Sequence, residues 1–488
     1  MIFKHYLKTA GLLFTLCAFS TAQAQTLGEE IEAIADIVVD INGTGDYTSV
    51  LAGLNAVPDS SDEWTIVYVK NGFYYEKIIL KPAKMKVVLV GENVDSTILS
   101  YDDHGDGSLP GHTFSSYSFR ADAHDFQAYN ITFENTNTTS QAVAFHSNGD
   151  RQILFHCKLL SNQDTYFDNF RTRRYIKDCF IEGDVDFIFG FGVTLFDTCH
   201  IYCNDPGYVT AASTPQYYEF GYVFRGSYVT VREGGNWSVS LGRPWFPYSN
   251  TIFYECWLSA RIVGSGWSPW DGREATCIYQ EYNNIGPGSD TTFRADWSSQ
   301  LDPALADRYN IDTIFAASNF PSDLGPEVDS IEFWSMRDRF EASGYAERAD
   351  TILYAGRDYW PEYPTDNWVP EFYEPVYGIV TNYTDFFINA VDTTTANGLR
   401  PVLTQDQGIS VLSPAKEQLV ISCTQAISTG ARLSLYDLNG RVLFVKDLGG
   451  LPEGLTEVSL QGLGLGTGIY VYQIETEAGI SAGKVMKE

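Results

Sequence analysis

Four residues carry the chemistry this sequence suggests, and they form two equally spaced pairs. Gln141 and Gln163 are 22 residues apart, and so are Asp164 and Asp186. If that interval is one turn of a repeating structure, the two amides and two carboxylates meet on one face. Neighbouring strands lie about 4.8 Å apart, so the four groups fall within about 5–10 Å of one another. Two close carboxylates do not titrate alike. One is held protonated by the charge of the other, and a nearby cation keeps the second ionised. That separation yields one acid and one base, or one acid and one nucleophile. The amides can donate to an oxyanion. The same residues also read as a ladder of stacked Gln and Asp that satisfies only its own hydrogen bonds. Asp186 stands in IEGDVDFIFG (181–190), directly before an apolar run, where a lone carboxylate is costly unless paired. Strand alternation puts Glu182, Asp184 and Asp186 on one face.

The elements that must position these residues show themselves as rows. ITFEN (131–135), ILFHC (153–157), YIKDC (175–179) and LFDTC (195–199) align at steps of 22, 22 and 20. Phe145, Phe167 and Phe189 form a further column. Short strand-like runs at this period, without helical patterning, predict a parallel β-helix with one rung per repeat. Column residues on adjacent rungs sit at the Cα separation of a disulfide. Cys179 and Cys199 are therefore either a disulfide or part of a ladder of buried free thiols. A metal site from Cys199, His200 and Cys203 is disfavoured, because adjacent strand residues point to opposite faces. Upstream, residues 46–57 read as a short amphipathic helix covering the open end of the β-helix. Asp46 is its expected N-cap, and Val50, Leu51, Leu54 and Val57 its apolar stripe.

The chain has 488 residues with formal net charge −30, and 15% of its residues are aromatic. The length predicts more than one domain. The acidity excludes nucleic acid as a partner, since phosphate binding needs basic surface. Residues 1–24 have the pattern of a cleaved signal peptide: Lys4 and Lys8, an apolar run over 10–19, and Ala22-Gln23-Ala24. No later run is long enough for a transmembrane helix. The repeat fades after about Trp297. Residues 319–405 are acidic and aromatic-rich without a period, and are expected either to dock along the helix or to form a small module. Residues 406–488 carry short alternating runs and predict a small β-sandwich.

QDTYF (163–167), GDVDFIFG (183–190) and LGRPW (241–245) resemble the signature motifs of pectin methylesterases. VKNGFYYE (69–76), NITFENT (130–136), QAVA (141–144), GWSPW (266–270) and EYNNIGPG (281–288) extend the resemblance in family order over residues 36–316. It implies a right-handed, single-stranded parallel β-helix over 30–318. It also implies hydrolysis of galacturonate methyl esters in pectin without metal or other cofactor. Carried over by position, Asp186 is the nucleophile, and Asp164 is first general acid and then general base. Gln163 and Gln141 hold the oxyanion, and Arg243 pairs with Asp186. Trp245 and Trp267 stack on sugar rings, Phe167 and Phe189 line the cleft, and Thr113 contacts substrate. A monomer is expected.

One position departs from the family pattern. Asp184 stands where threonine is usual, and its carboxylate is expected to point into solvent, leaving activity near neutral pH insensitive to Asp184→Thr. Two competing functions are a β-helix pectate or pectin lyase, whose activity a calcium chelator would abolish, and a non-catalytic pectin-binding protein. A serine esterase is disfavoured because no G-x-S-x-G elbow occurs. LSPAKEQLVIS (412–422), LYDLNGRVL (435–443), GLGTGIYVYQI (464–474) and GKVMK (483–487) resemble the sorting domain of the type IX secretion system. That likeness implies a Bacteroidetes-type bacterium, outer-membrane passage, and removal of the tail or its exchange for a surface anchor. A carbohydrate-binding sandwich is the alternative for this module, which has few aromatic residues for the purpose.

Overall fold

The computed structural model describes residues 26–105, 112–170, 172–232, 237–320, 364, 366–383 and most of 409–487. The expected signal peptide lies outside the described residues. Residues 37–300 wind into a parallel β-helix. One face is an 11-stranded parallel sheet running from Ile37–Val39 to Ser299–Gln300. Two further faces merge into one hydrogen-bonded sheet because Phe180–Gly190 and His200–Ala212 are long enough to turn the corner between them. Phe180–Gly190 pairs with Lys158–Leu160 at its start and with Tyr166–Asp168 at its end. A strand inside such a stack has covered faces, which is why Thr65–Val69 and Val87–Gly91 are buried at every position.

The interior is built from in-register columns. Phe196, Phe224 and Phe253 stack at centroid distances of 4.5 and 4.4 Å with nearly parallel rings. Each buried phenylalanine contributes roughly 1.5–3 kcal/mol. The helix Val50–Ala56 sends Val50 and Leu54 into the same core, joined by Val57 just beyond it. Its cap is Ser49, not Asp46. The Ser49 hydroxyl accepts from Ala52 N (3.2 Å), and the Glu76 carboxylate accepts from Val50 N and Leu51 N (3.0 and 3.1 Å). Asp46 instead accepts from Val38 N (2.8 Å), which holds the first strand.

The 22-residue period holds only where the turns are short. Phe155, Lys177 and Asp197 are stacked neighbours, as the rows implied. ITFEN belongs to another face, since Thr132–Asn135 pairs with Lys158–Leu160. The phenylalanine column is also shifted. The amides of Ala144 and Phe145 both donate to Thr165 O (2.9 and 3.2 Å), a bulge that advances the strand by one residue. Phe145 therefore pairs with Tyr166, and His146 takes the place beside Phe167 and Phe189.

Of the two readings of Cys179 and Cys199, the ladder of buried free thiols is the one found, and no disulfide joins them. All seven described cysteines are free thiols, and Cys157, Cys179 and Cys199 stand in one buried column. In-register side chains of parallel strands keep their Cβ vectors parallel at about the rung spacing of 4.8 Å, beyond the 3.5–4.5 Å that a disulfide needs. The thiols use backbone partners instead, as in Cys199 Sγ donating to Ile176 O (3.3 Å).

Within 319–405 the described part docks along the 11-stranded face. Tyr373 N donates to Gln127 Oε1 (2.9 Å) and to Tyr129 Oη (3.0 Å), and Trp368 packs on Phe315 at 4.8 Å. The helix Glu374–Tyr383 buries Val376 and Val380 among Tyr129, Phe155 and Ile31. Arg173, fully buried, ion-pairs with Asp150 and reaches Asp366 of this segment, both at 2.6 Å. The tail folds as a β-sandwich. Ile409–Leu412, Gln418–Cys423 and Gly454–Ser459 form one antiparallel sheet, and four strands between Ile427 and Lys487 form the other, over a core of Leu419, Ile421, Leu433, Leu435 and Ile474. The expected turn at Asn439-Gly440 lies outside the described residues.

Candidate active site

Asp164 and Asp186 sit at matching positions on adjacent rungs, each two residues before a paired strand position, Tyr166 and Ile188. Both have left-handed backbone, with φ +69° and +51°. Aspartate tolerates that region better than most residues. At Asp186 the cause is a bulge: Val185 pairs with Tyr208 while Ile188 pairs with Thr210, so three steps of one strand face two of the other. The bulge re-aims the side chain, so the simple alternation Glu182, Asp184, Asp186 does not hold. Phe187 folds into the interior against Gly183, where an added Cβ would stand 2.3 Å from Phe187 Cβ. Asp186 is left at the surface cleft with 6% exposure, and Asp164 beside it has 4%.

Arg243 follows the strand Ser240–Gly242, and its amide donates to Thr210 O (2.9 Å). Its guanidinium grips Asp186 with two parallel bonds, Nε to Oδ1 at 2.8 Å and Nη2 to Oδ2 at 2.6 Å. A planar fork matches both carboxylate oxygens, as a lysine cannot. The electrostatics of the two acids differ accordingly. Burial, then the charges of Asp186 and Asp184, push the Asp164 carboxyl well above the usual carboxylate range, while Arg243 and the Gln141 amide pull weakly the other way. Burial also raises Asp186, but hydrogen bonds and charge from Arg243 oppose it. Asp186 still ends above the ordinary carboxylate value, but Asp164 is raised well beyond it, so of the two Asp164 holds its proton more firmly and Asp186, paired with Arg243, ionises first.

The amides flank this pair. Ala142 N donates to Gln163 O (3.0 Å), which puts Gln141 and Gln163 on neighbouring rungs beside the acids. Thr113 donates from Oγ1 to Gln141 Oε1, which orients the amide so that Nε2 faces away from the threonine. Thr113 is itself buried and positions Gln141. Phe167 and Phe189 stack at 4.5 Å, with Phe114 on Phe167 at 4.8 Å, and the half-buried Trp245 meets Phe189 edge-on at 5.8 Å. Phe167 and Phe189 form the floor beneath Trp245.

Two expectations need correction. Trp267 is 1% exposed, packed inside the β-helix against Tyr279 at 4.7 Å and Phe253 at 5.7 Å, so it cannot stack on a sugar. Trp270, three residues on and therefore on the opposite face, stands at the cleft instead, 3.9 Å from the Arg243 guanidinium carbon. Odd spacing in an extended segment signals that the two rings face opposite ways, but not which of them faces the cleft. Asp184 is half-buried and does not point freely into solvent. Burial raises its carboxyl, and its charge bears on both Asp164 and Asp186.

In one cleft of this parallel β-helix a proton-retaining carboxyl stands beside an arginine-paired carboxylate, an arrangement compatible with an ester-cleaving enzyme. The chain belongs to the pectinesterase family: the Pectinesterase family model matches residues 36–318. Among curated relatives, it is 34% identical over 277 residues to Pectinesterase 31 of Arabidopsis thaliana, covering 54% of this chain and 86% of that protein. It is 32% identical over 316 residues to Probable pectinesterase 67 of the same plant, covering 61% and 89%. Among solved structures, pectin methylesterase from carrot matches with a TM-score of 0.55 and 29% identity, covering 60% of this chain and 98% of that one. The model for the secretion system C-terminal sorting domain matches residues 413–488, which marks a secreted or cell-surface protein. Among the described residues no helix is long and apolar enough to cross a membrane.

Proposed function

We propose a division of labour among the cleft residues of this enzyme, a pectin methylesterase that hydrolyses galacturonate methyl esters to pectate and methanol. The Asp186 carboxylate attacks the ester carbonyl, forming a new C–O bond and a tetrahedral oxyanion. Gln141 and Gln163 donate to that oxyanion. As the intermediate collapses, the bond to the methoxy oxygen breaks and Asp164 gives that oxygen its proton, releasing methanol. Asp164, now ionised, takes a proton from water while the hydroxide oxygen attacks the acyl-enzyme. Collapse frees the galacturonate carboxyl and returns Asp186 as an anion. Arg243 keeps Asp186 ionised and aimed. Trp245 presents its ring to the sugars, while Trp270 packs on the Arg243 guanidinium.

The observation that carries this reading is the bidentate lock of Arg243 on Asp186 beside the buried, proton-retaining Asp164. Methanol release from methylated pectin tests it. Asp186→Asn should lower the rate by about a thousandfold or more, and equal release by wild type and variant would end the mechanism. On the same footing, residues 1–24 act as a cleaved signal peptide, 30–318 as the catalytic domain and 406–488 as the sorting domain read by type IX secretion machinery. The catalytic unit works as a monomer on methyl-esterified homogalacturonan.

A further inference from the structure

The Arg243 guanidinium does more than pair with Asp186; it is held between two aromatic faces. Its central carbon lies 3.9 Å from the ring centroid of Tyr208 and 3.9 Å from that of Trp270. Behind Trp270 stands Arg273, 5.5 Å from the same ring, with Nη1 donating to Trp245 O. The topology explains the stack. Val185 pairs with Tyr208 and Tyr208 with Ser240, so Tyr208 lies on the rung between that of Asp186 and that of Arg243. To reach Asp186, the Arg243 side chain must cross the Tyr208 rung. Its flank there is covered by whatever residue 208 presents. The next rung beyond Arg243 supplies Trp270, since Gly242 bridges to Trp267. Tyr208 reaches its place through an insertion. Residues 204–207 have no counterpart on the preceding strand, and the chain returns at Gly207, where an added Cβ would stand 2.1 Å from Asp184 O.

We propose that Tyr208 is a positioning residue for the nucleophile, clamping the Arg243 guanidinium against Trp270 so that its fork stays dry and aligned on Asp186. This rests on the reading of Asp186 as nucleophile. Facing an aromatic ring on each side, the guanidinium keeps only its edge for hydrogen bonding, and that edge is given to the carboxylate. Without the Tyr208 face, water reaches the cation, its side chain gains rotamers, and the charge felt by Asp186 falls. Other charged or titratable groups facing Asp186 are Asp184, which opposes its ionisation, Asp164, whose own proton Asp186 helps retain, and Tyr279 from the interior. Asp205 acts through Asp184. Arg273 lies on the far side of Trp270.

The test compares wild type, Tyr208→Phe, Tyr208→Leu and Tyr208→Met by the pH dependence of kcat/KM for methanol release. Attack needs ionised Asp186, so the acid limb reports its titration. Tyr208→Leu and Tyr208→Met should move that limb upward by about half a pH unit or more, a threefold or greater change in the ionisation constant, with a smaller loss near neutral pH. Tyr208→Phe keeps the ring and should match wild type. An unmoved limb in the Leu and Met variants, or an equal shift in Tyr208→Phe, would overturn the clamp. Carbon-13 carboxylate resonances of aspartate-labelled protein, with Asp186 assigned through Asp186→Asn, give the same titration without catalysis. An unchanged Asp186 midpoint in Tyr208→Met refutes the clamp even if the esterase mechanism fails, whereas loss of methanol release in wild type alone refutes only the mechanism.

Discussion

At the scale of single residues, the site divides one chemistry between two similar side chains by unequal surroundings. Asp164 is covered and faces two carboxylates; Asp186 is covered and faces a guanidinium. Asp184 belongs to this balance. Its carboxylate raises both neighbours, so Asp184→Thr or Asp184→Asn should lower both pKa values. The acid limb of the pH profile, set by ionisation of Asp186, and the alkaline limb, set by loss of the Asp164 proton, then both move to lower pH. Methanol release followed from acid to alkaline pH checks this, and a profile superimposable on wild type would return Asp184 to a solvent role. Asp164 and Asp186 were legible in the sequence because they stand 22 residues apart, each two residues before a paired strand position. Trp267 was misplaced because two tryptophans three apart give no sign of which one faces inward. Tyr208 was invisible because the insertion at 204–207 breaks the period that reveals its neighbours.

At the scale of elements, the strands supply register and the irregularities supply function. The bulge opposite Thr165 puts His146, not Phe145, above Phe167, and the bulge at Asp186 turns a core strand outward. Neither has a compositional signature, since a one-residue slip in a uniformly apolar strand leaves its hydrophobic pattern almost intact. The β-helix itself was legible from three short-turn rungs. The docking of 366–383 was not, because its partners lie some two hundred residues away. That segment has an energetic centre in Arg173. Arg173→Leu leaves the buried Asp150 with the longer Arg151 contact (3.3 Å) and a backbone amide, and should cost about 3 kcal/mol of stability. Asp366→Asn, at a half-exposed position, should cost less than about 1 kcal/mol. Denaturant unfolding of the two variants distinguishes a keystone arginine from a surface pair: equal small losses would refute it.

At the scale of the whole molecule, net charge and product chemistry oppose each other. Methylated pectin is neutral, whereas each turnover leaves another carboxylate on the polymer, facing a chain of formal charge −30. Long-range repulsion should speed departure of the polyanion at low ionic strength, and salt screens it over a Debye length of about 10 Å at 0.1 M. Inhibition by added pectate should therefore strengthen as salt rises; inhibition that weakens would show that local cations govern product binding.

The column of free thiols carries a consequence for biogenesis. Cys179, Cys199, Cys203 and Cys256 are buried, and burial pushes each thiol up, so in the finished fold little of the thiolate that oxidants attack is present. Before winding, the same sulfurs are ordinary and accessible, and those in sequence-adjacent rungs are close enough to cross-link. An exported chain therefore relies on timing: each turn of the coil has to close over its cysteine before an oxidising compartment can couple it to the next. Once the coil is wound these buried thiols are shielded, and that shielding should last as long as the coil stays closed.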